Sequence, residues 1–237
     1  MSVITQSLLS FRDYSSVAGD ANATIIALHG YGGHLDQLVP LCRALRASAE
    51  ISAPEAPREV HPYTSYYPTQ DLGSYWFSIL HDGSPDPTRF GDSLWRLEQF
   101  VVDVVRRGAP GRPIFLLGYD QGASLALTLA GVVPEYLDGV IGICGYAPRF
   151  KDWSMPIQDL GGLHILMVND AHDESIRPDW ISNTVVDLSE RHASVITETV
   201  PGAKADFMNA IASASDWFAR RMVGSAISNR SENAPLV

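Results

Sequence analysis

What this chain has little of narrows its reading more than what it has in quantity. It carries two cysteines, Cys42 and Cys144, and both lie in apolar stretches, "VPLCRAL" and "GVIGICGYAP". Two such residues exclude a cysteine-built zinc cluster, and their settings predict packed thiols rather than a disulfide. Basic residues are scarce, 17 Lys and Arg against 27 Asp and Glu, for a formal net charge of −10. That balance argues against a nucleic-acid or anionic-membrane surface and leaves a small molecule as the expected partner. No apolar run approaches the roughly 20 residues of a membrane span. The start, "MSVITQSLLSFRDYSS", lacks the basic segment, apolar core and cleavage site of a secretion signal. A cytoplasmic protein is the expectation, with no cofactor implied and a homodimer left open.

What is present, 46% hydrophobic and 19% charged residues over 237 positions, suits a globular chain able to bury a sizeable core. Apolar, β-branched runs recur as "ATIIALHG", "AEISAPEAP", "RPIFLLGYD", "LDGVIGICGYAP", "LHILMVND" and "HASVITETVPG", and these predict strands. Between them, "LDQLVPLCRALRA", "DSLWRLEQFVVDVVRRG", "GASLALTLAGVV", "RPDWISNTVVDLSER" and "ADFMNAIASASDWFARRM" carry apolar residues at the three- and four-residue spacing of one-faced helices. Alternation of this kind predicts an α/β fold, a mostly parallel sheet with helices on both faces. A single domain over residues 1–224 is expected, followed by a flexible tail over 225–237, which is polar and aperiodic. Residues 54–90 break the rhythm. They are rich in proline, glycine and aromatics and too long for a simple connector, which predicts a structured loop near a site.

Two motifs carry chemistry. In "IIALHGYGGHLDQLVPLCRAL" a strand ends at His29-Gly30 and runs through a glycine-rich turn into a helix. Glycines 30, 32 and 33 let the backbone approach a ligand closely, with the Tyr31 amide aimed into a cleft. In "FLLGYDQGASLAL" a strand meets a helix at Asp120, with Gly118 and Gly122 two residues to either side. A nucleophile elbow needs small residues at those two places, because its turn brings neighbouring backbones into contact. The Gln121 amide would then join that of Tyr31 in an oxyanion hole. The plainer alternative is a strand-to-helix turn whose aspartate caps the helix.

Taken together and in this order, the motifs resemble the α/β-hydrolase superfamily, and within it the small carboxylesterase, lysophospholipase and acyl-protein thioesterase family. The resemblance runs over roughly residues 22–222 and includes "ISAPEAP", "SYWF", "GYDQGASLAL", "GICGYAP" and "LMVNDAHDESI". It implies an α/β-hydrolase fold without a large cap domain, with Asp173 at the place of the triad acid and His29 as a structural histidine. Two departures stand out. The elbow residue is Asp120 where the family carries serine, and "VPGAKADF" has no histidine, so that Lys204 or Ala205 takes that place.

Ordinary serine esterase activity therefore does not carry over, since a serine needs a base to take its proton. A carboxylate at the elbow serves as nucleophile in the haloalkane dehalogenase and epoxide hydrolase branches, but those also use a histidine and a cap. The favoured expectation is an enzyme of altered chemistry, with Asp120 as general acid, base or nucleophile on a small apolar or aromatic substrate. An Asp120, Lys204 and Asp173 cluster is one form of such a site, and a structural ion pair plugging it is another. The alternative function is an inactive homologue that binds a small molecule or partner. Among histidines that could substitute, His61 in the aromatic loop and His172 beside Asp173 are the candidates. Tyr63, Tyr66, Tyr67 and Trp76 are expected to wall the pocket.

Overall fold

A computed structural model describes residues 7–17, 19–45, 48–61, 72–151 and 158–232, with side chains as far as residue 222. All six expected strands are present, as β2 (Ala23–Leu28), β3 (Ala49–Pro54), β6 (Ile114–Tyr119), β7 (Gly139–Ile143), β8 (His164–Asn169) and β9 (Ser194–Thr199). A strand the periodicity did not show, β1 (Phe11–Tyr14), pairs antiparallel with β3, and the pairs between β2 and β9 are parallel. The resulting seven-stranded sheet has the order β1-β3-β2-β6-β7-β8-β9. β4 (Arg58–Glu59) and β5 (Ser74–Tyr75) form a separate two-stranded ribbon.

The central strands are buried on both faces, which is why they read as continuous apolar runs. In β2 all six residues are buried. Ile26 and Leu28 face the helices α2 (Pro87–Arg107), α3 (Gln121–Leu129) and α4 (Pro178–Glu190), whereas Ile25 and Ala27 face α1 (Val39–Ala44) and α5 (Ile211–Glu232). The longest helix wholly described, α2, shows why these segments fold as they do. Asp86 caps it by accepting from the amides of Thr88 and Arg89, Pro87 opens its first turn, and Gly108 ends it. Its buried stripe of Phe90, Leu94, Leu97, Val101 and Val104 contributes on the order of 1.5–3 kcal/mol per side chain by leaving water. Cys42 and Cys144 are buried free thiols, and burial pushes both up to about 12.

α5 continues to Glu232, into the stretch read from the sequence as a tail. Polarity alone does not stop a helix, and no proline occurs in that stretch before Pro235.

Sheet order reverses direction between β2 and β6: the chain leaves β2 for β3 on one side and returns to β6 on the other. Open α/β sheets place ligands outside the carboxyl ends of the strands at such a reversal. Both motifs singled out above, Gly30-Tyr31 after β2 and Asp120 after β6, stand there.

Candidate active site

Asp120 sits at the strand-to-helix corner with φ 54° and ψ −117°, a conformation that costs a non-glycine residue on the order of 1–3 kcal/mol. The corner is tight enough to dictate its neighbours. A Cβ on Gly118 would lie 2.3 Å from the Gly122 carbonyl oxygen, and one on Gly122 would lie 2.1 Å from that of Leu28. The Asp120 N–H donates to the Ile143 carbonyl at 2.9 Å, tying the corner to β7. Its carboxylate makes no capping bond to α3, which rules out the helix-cap alternative. The side chain turns toward the cleft instead.

There the carboxylate is held from two sides. Oδ2 accepts the Tyr31 N–H at 3.0 Å, and Oδ1 lies 2.5 Å from Lys204 Nζ. Lys204 Nζ is also 3.7 Å from Asp173 Oδ2. The expected Asp120, Lys204 and Asp173 cluster is thus brought together, and Lys204, not Ala205, is the residue that reaches the elbow. Burial works against the ammonium of Lys204, but the carboxylates of Asp120 and Asp173 outweigh it and hold its pKa above the usual lysine value. The lysine is positioned through its backbone: its N–H donates to Asp170 Oδ2 at 3.0 Å, and its carbonyl accepts from the Tyr119 hydroxyl at 2.5 Å. Asp170 is in turn kept below the usual carboxylate range by the amides of His172 and Lys204.

Above the cluster opens a cleft of about 1110 Å³, walled by Tyr31, Tyr75, Phe77 and Tyr146, with His61 and Lys204 also on its lining. Tyr146 stacks on Trp180 with ring centroids 4.6 Å apart. Among the described residues no group of His, Cys, Asp and Glu is arranged to hold a metal ion.

A second network fixes the oxyanion loop from behind. His29, fully buried, is within 2.7 Å of the Gly30 carbonyl through Nδ1 and accepts the Ala56 N–H at Nε2, 3.0 Å. With Nε2 accepting, Nδ1 carries the proton, and burial keeps the ring neutral. Glu55 accepts from the amide of Leu35 at 2.8 Å and from the Ser74 hydroxyl. Ser, His and Glu meet here without forming a second triad, because Glu55 lies on the Nε2 side of the ring, 3.6 Å away, and the Nδ1 proton goes to a carbonyl.

Several expected site residues fall elsewhere. His172 is turned to solvent, its side chain 84% exposed and its Nδ1 3.6 Å from Asp170, so it does not line the cleft. The His172 N–H donates to Asp170 Oδ1 at 3.0 Å, which fixes the loop tip with the ring on its outer side. Trp76 is fully buried, with its indole N–H on the His29 carbonyl at 2.8 Å, and is part of the body rather than the pocket wall. Gln121 contributes more than its amide: its side chain accepts from the Trp76 N–H at 2.9 Å and donates to the Phe77 carbonyl at 2.7 Å. Tyr63, Tyr66 and Tyr67 lie outside the described residues. The reading of the sequence missed Tyr119, Tyr146, Glu55 and Asp170. Tyr119 and Tyr146 stood inside quoted motifs, one beside the elbow and one in "GICGYAP", and their place at the carboxyl edge of the sheet was the signal.

The chain belongs to the phospholipase/carboxylesterase family, whose model matches residues 15–186. It is 25% identical over 142 residues to acyl-protein thioesterase 1 of Yarrowia lipolytica, a match covering 55% of this chain and 60% of that one, so the chain spans about three fifths of that relative's length. In fold it is similar to the carboxylesterase of Bacillus cereus, with a TM-score of 0.75 at 17% identity, covering 91% of this chain and 95% of that one. A second similar structure is acyl-protein thioesterase 2 of Zea mays, TM-score 0.66 at 16% identity, covering 90% and 99%. The α/β-hydrolase fold is established by these likenesses together with the mostly parallel sheet, and the relatives are hydrolases by name.

Proposed function

We propose that the cleft carries out cofactor-free acid–base chemistry on a small apolar or aromatic substrate, in place of acyl transfer through a serine. One observation carries this reading: a carboxylate and an ammonium, Asp120 and Lys204, stand 2.5 Å apart on the floor of an open cleft. The carboxylate can accept a proton from a carbon or oxygen acid, and the ammonium can donate one to the oxygen that becomes negative. Aromatic walls would hold the substrate body, and Asp173 keeps the ammonium charged. A nucleophilic role for Asp120 fits less well. Both of its oxygens are engaged, and the cluster holds no neutral base to activate water against an alkyl-enzyme ester.

Binding without turnover is the second reading, and a specific feature favours it. The Tyr31 N–H, the donor an oxyanion would use, already serves Asp120 Oδ2. Deuterium exchange into small aryl ketones in heavy water separates the two. Exchange that drops at least about 100-fold in both Asp120→Asn and Lys204→Gln supports proton transfer, given the usual 10²–10⁴ contribution of such groups. Ligand binding without exchange in the native chain selects the binding reading, and ester hydrolysis that survives Asp120→Ala removes Asp120 from the mechanism of that hydrolysis.

A further inference from the structure

A second cavity, of about 600 Å³, shares Cys144 and Ile176 with the main cleft and extends between α4 and the C-terminal end of β9, the edge strand of the sheet. Its flanks are Ile176, Ile181, Val185 and Val186, and Val186 is 47% exposed. Its inner end is acidic and polar. Asn169 and Asp173 line it, and Asn169 Oδ1 and Asp173 Oδ2 are both buried oxygens without a hydrogen-bond partner. The Asp173 side chain is only 5% exposed, and its other oxygen accepts from the Ser175 amide at 2.9 Å and from the Ser175 hydroxyl. Lys204 Nζ, 3.7 Å from Oδ2, is too far to donate a hydrogen bond and lines the main cleft instead. Buried acceptors left without donors are costly, and native proteins leave few of them.

We propose that this groove is a binding site for an alkylammonium, a primary amine whose charged head meets Asp173 and Asn169 and whose aliphatic tail lies along Ile181, Val185 and Val186. The head supplies what the inner end lacks: positive charge and three donors, for a carboxylate oxygen and an amide oxygen. The tail covers apolar surface that otherwise faces water. An anion is repelled by Asp170 and Asp173, and an alcohol brings one donor and no charge. Because Asp173 stands between this groove and Lys204, occupancy also weakens the hold of Asp173 on Lys204, so the groove and the Asp120 cluster are linked and each ligand alters the affinity for the other.

The test is a calorimetric titration of the full chain with hexylammonium, hexanol and hexanoate at one ionic strength. One saturable site for hexylammonium is expected, with the other two weaker by at least about tenfold, the factor that about 1.4 kcal/mol represents. Asp173→Asn, which keeps shape and removes charge, weakens hexylammonium by a similar factor. Val186→Trp, which fills the groove from its exposed rim, abolishes binding, and it decides the matter if Asp173→Asn does not fold. Tyr31→Ala, on the wall of the main cleft, leaves the affinity unchanged. Equal affinity for the three probes or the absence of a saturable site overturns the proposal. So does loss of binding in Tyr31→Ala while Val186→Trp binds normally, since the amine would then occupy the main cleft.

Discussion

The two sides of the cleft floor are built by opposite means. On the elbow side, Gly30–Gly33 and Gly118–Gly122 place atoms through backbone contact, and an added Cβ at Gly118 or Gly122 would come within 2.3 Å of a carbonyl oxygen. Across from it, residues 170–176 and 202–206 contribute side-chain charge and hydrogen bonds, with Lys204 reaching over to Asp120 and Asp173. Backbone contact admits no substitution. A side chain that projects into open space can be exchanged for one of different length, provided the charges still balance. A frame set by backbone contact can in this way carry different side chains at positions 120 and 204.

The largest expected effect lies in the frame. Gly122→Ala forces a Cβ to 2.1 Å from the Leu28 carbonyl and should lose at least about 3–4 kcal/mol or fail to fold. An unfolding free energy from denaturant titration within about 1 kcal/mol of native would break the comparison. Next comes the charge side. Lys204→Met leaves two carboxylates without their cation and should lose about 1–2 kcal/mol, less than a fully buried pair because water reaches it. Adding Asp120→Asn to Lys204→Met should restore part of that loss. Because the folded-state pKa of Lys204 lies above its unfolded value of 10.5, the contribution is fully present below that pH and fades as pH climbs through the folded value. Melting curves at about pH 9 and about pH 11.5 should show the loss in the native chain and its absence in Lys204→Met.

A smaller effect concerns the network behind the oxyanion loop. Burial depresses the folded-state pKa of His29 below 6.5, so the unfolded chain takes up the proton first and stability declines as pH falls below 6.5. His29→Gln should flatten that limb, and an unchanged slope would remove His29 from it. The smallest effect belongs to the rim. Tyr31 is 56% exposed, so Tyr31→Ala should shift stability by less than about 0.5 kcal/mol while weakening the cleft's ligands. A larger shift would mean the ring supports the frame.

Most of the fold was legible because strands buried on both faces and helices with one apolar stripe leave distinct periods. β1 escaped because "FRDY" is a short, exposed edge strand whose burial pattern carries no alternation. Within the site, the elbow could be read from Gly118 and Gly122, whose requirement is local. The pairing of Lys204 with Asp120 could only be imagined, since 84 residues separate them and the loop's alignment was open by one position. His172 misled for the opposite reason: closeness to Asp173 in sequence says nothing about which way a loop tip faces.

The strap made of β5 and the residues on either side of it, Gly73 to Phe77, bears on how a ligand gets in and out. It is stitched to the oxyanion loop by the Gly32 amide on the Ser74 carbonyl, 2.9 Å, and the Ser74 amide on the Gly33 carbonyl, 3.0 Å, while Gln121 clips it to the elbow. Gly73 is packed so close that a Cβ there would sit 2.3 Å from the Gly32 oxygen. Such a wall behaves as a fixed jamb rather than a door, for it cannot swing without tearing the amide donor of Tyr31 away from Asp120. On the rim formed by residues 174–176, Glu174 and Ser175 are exposed, so a ligand that enters past them meets an acidic threshold.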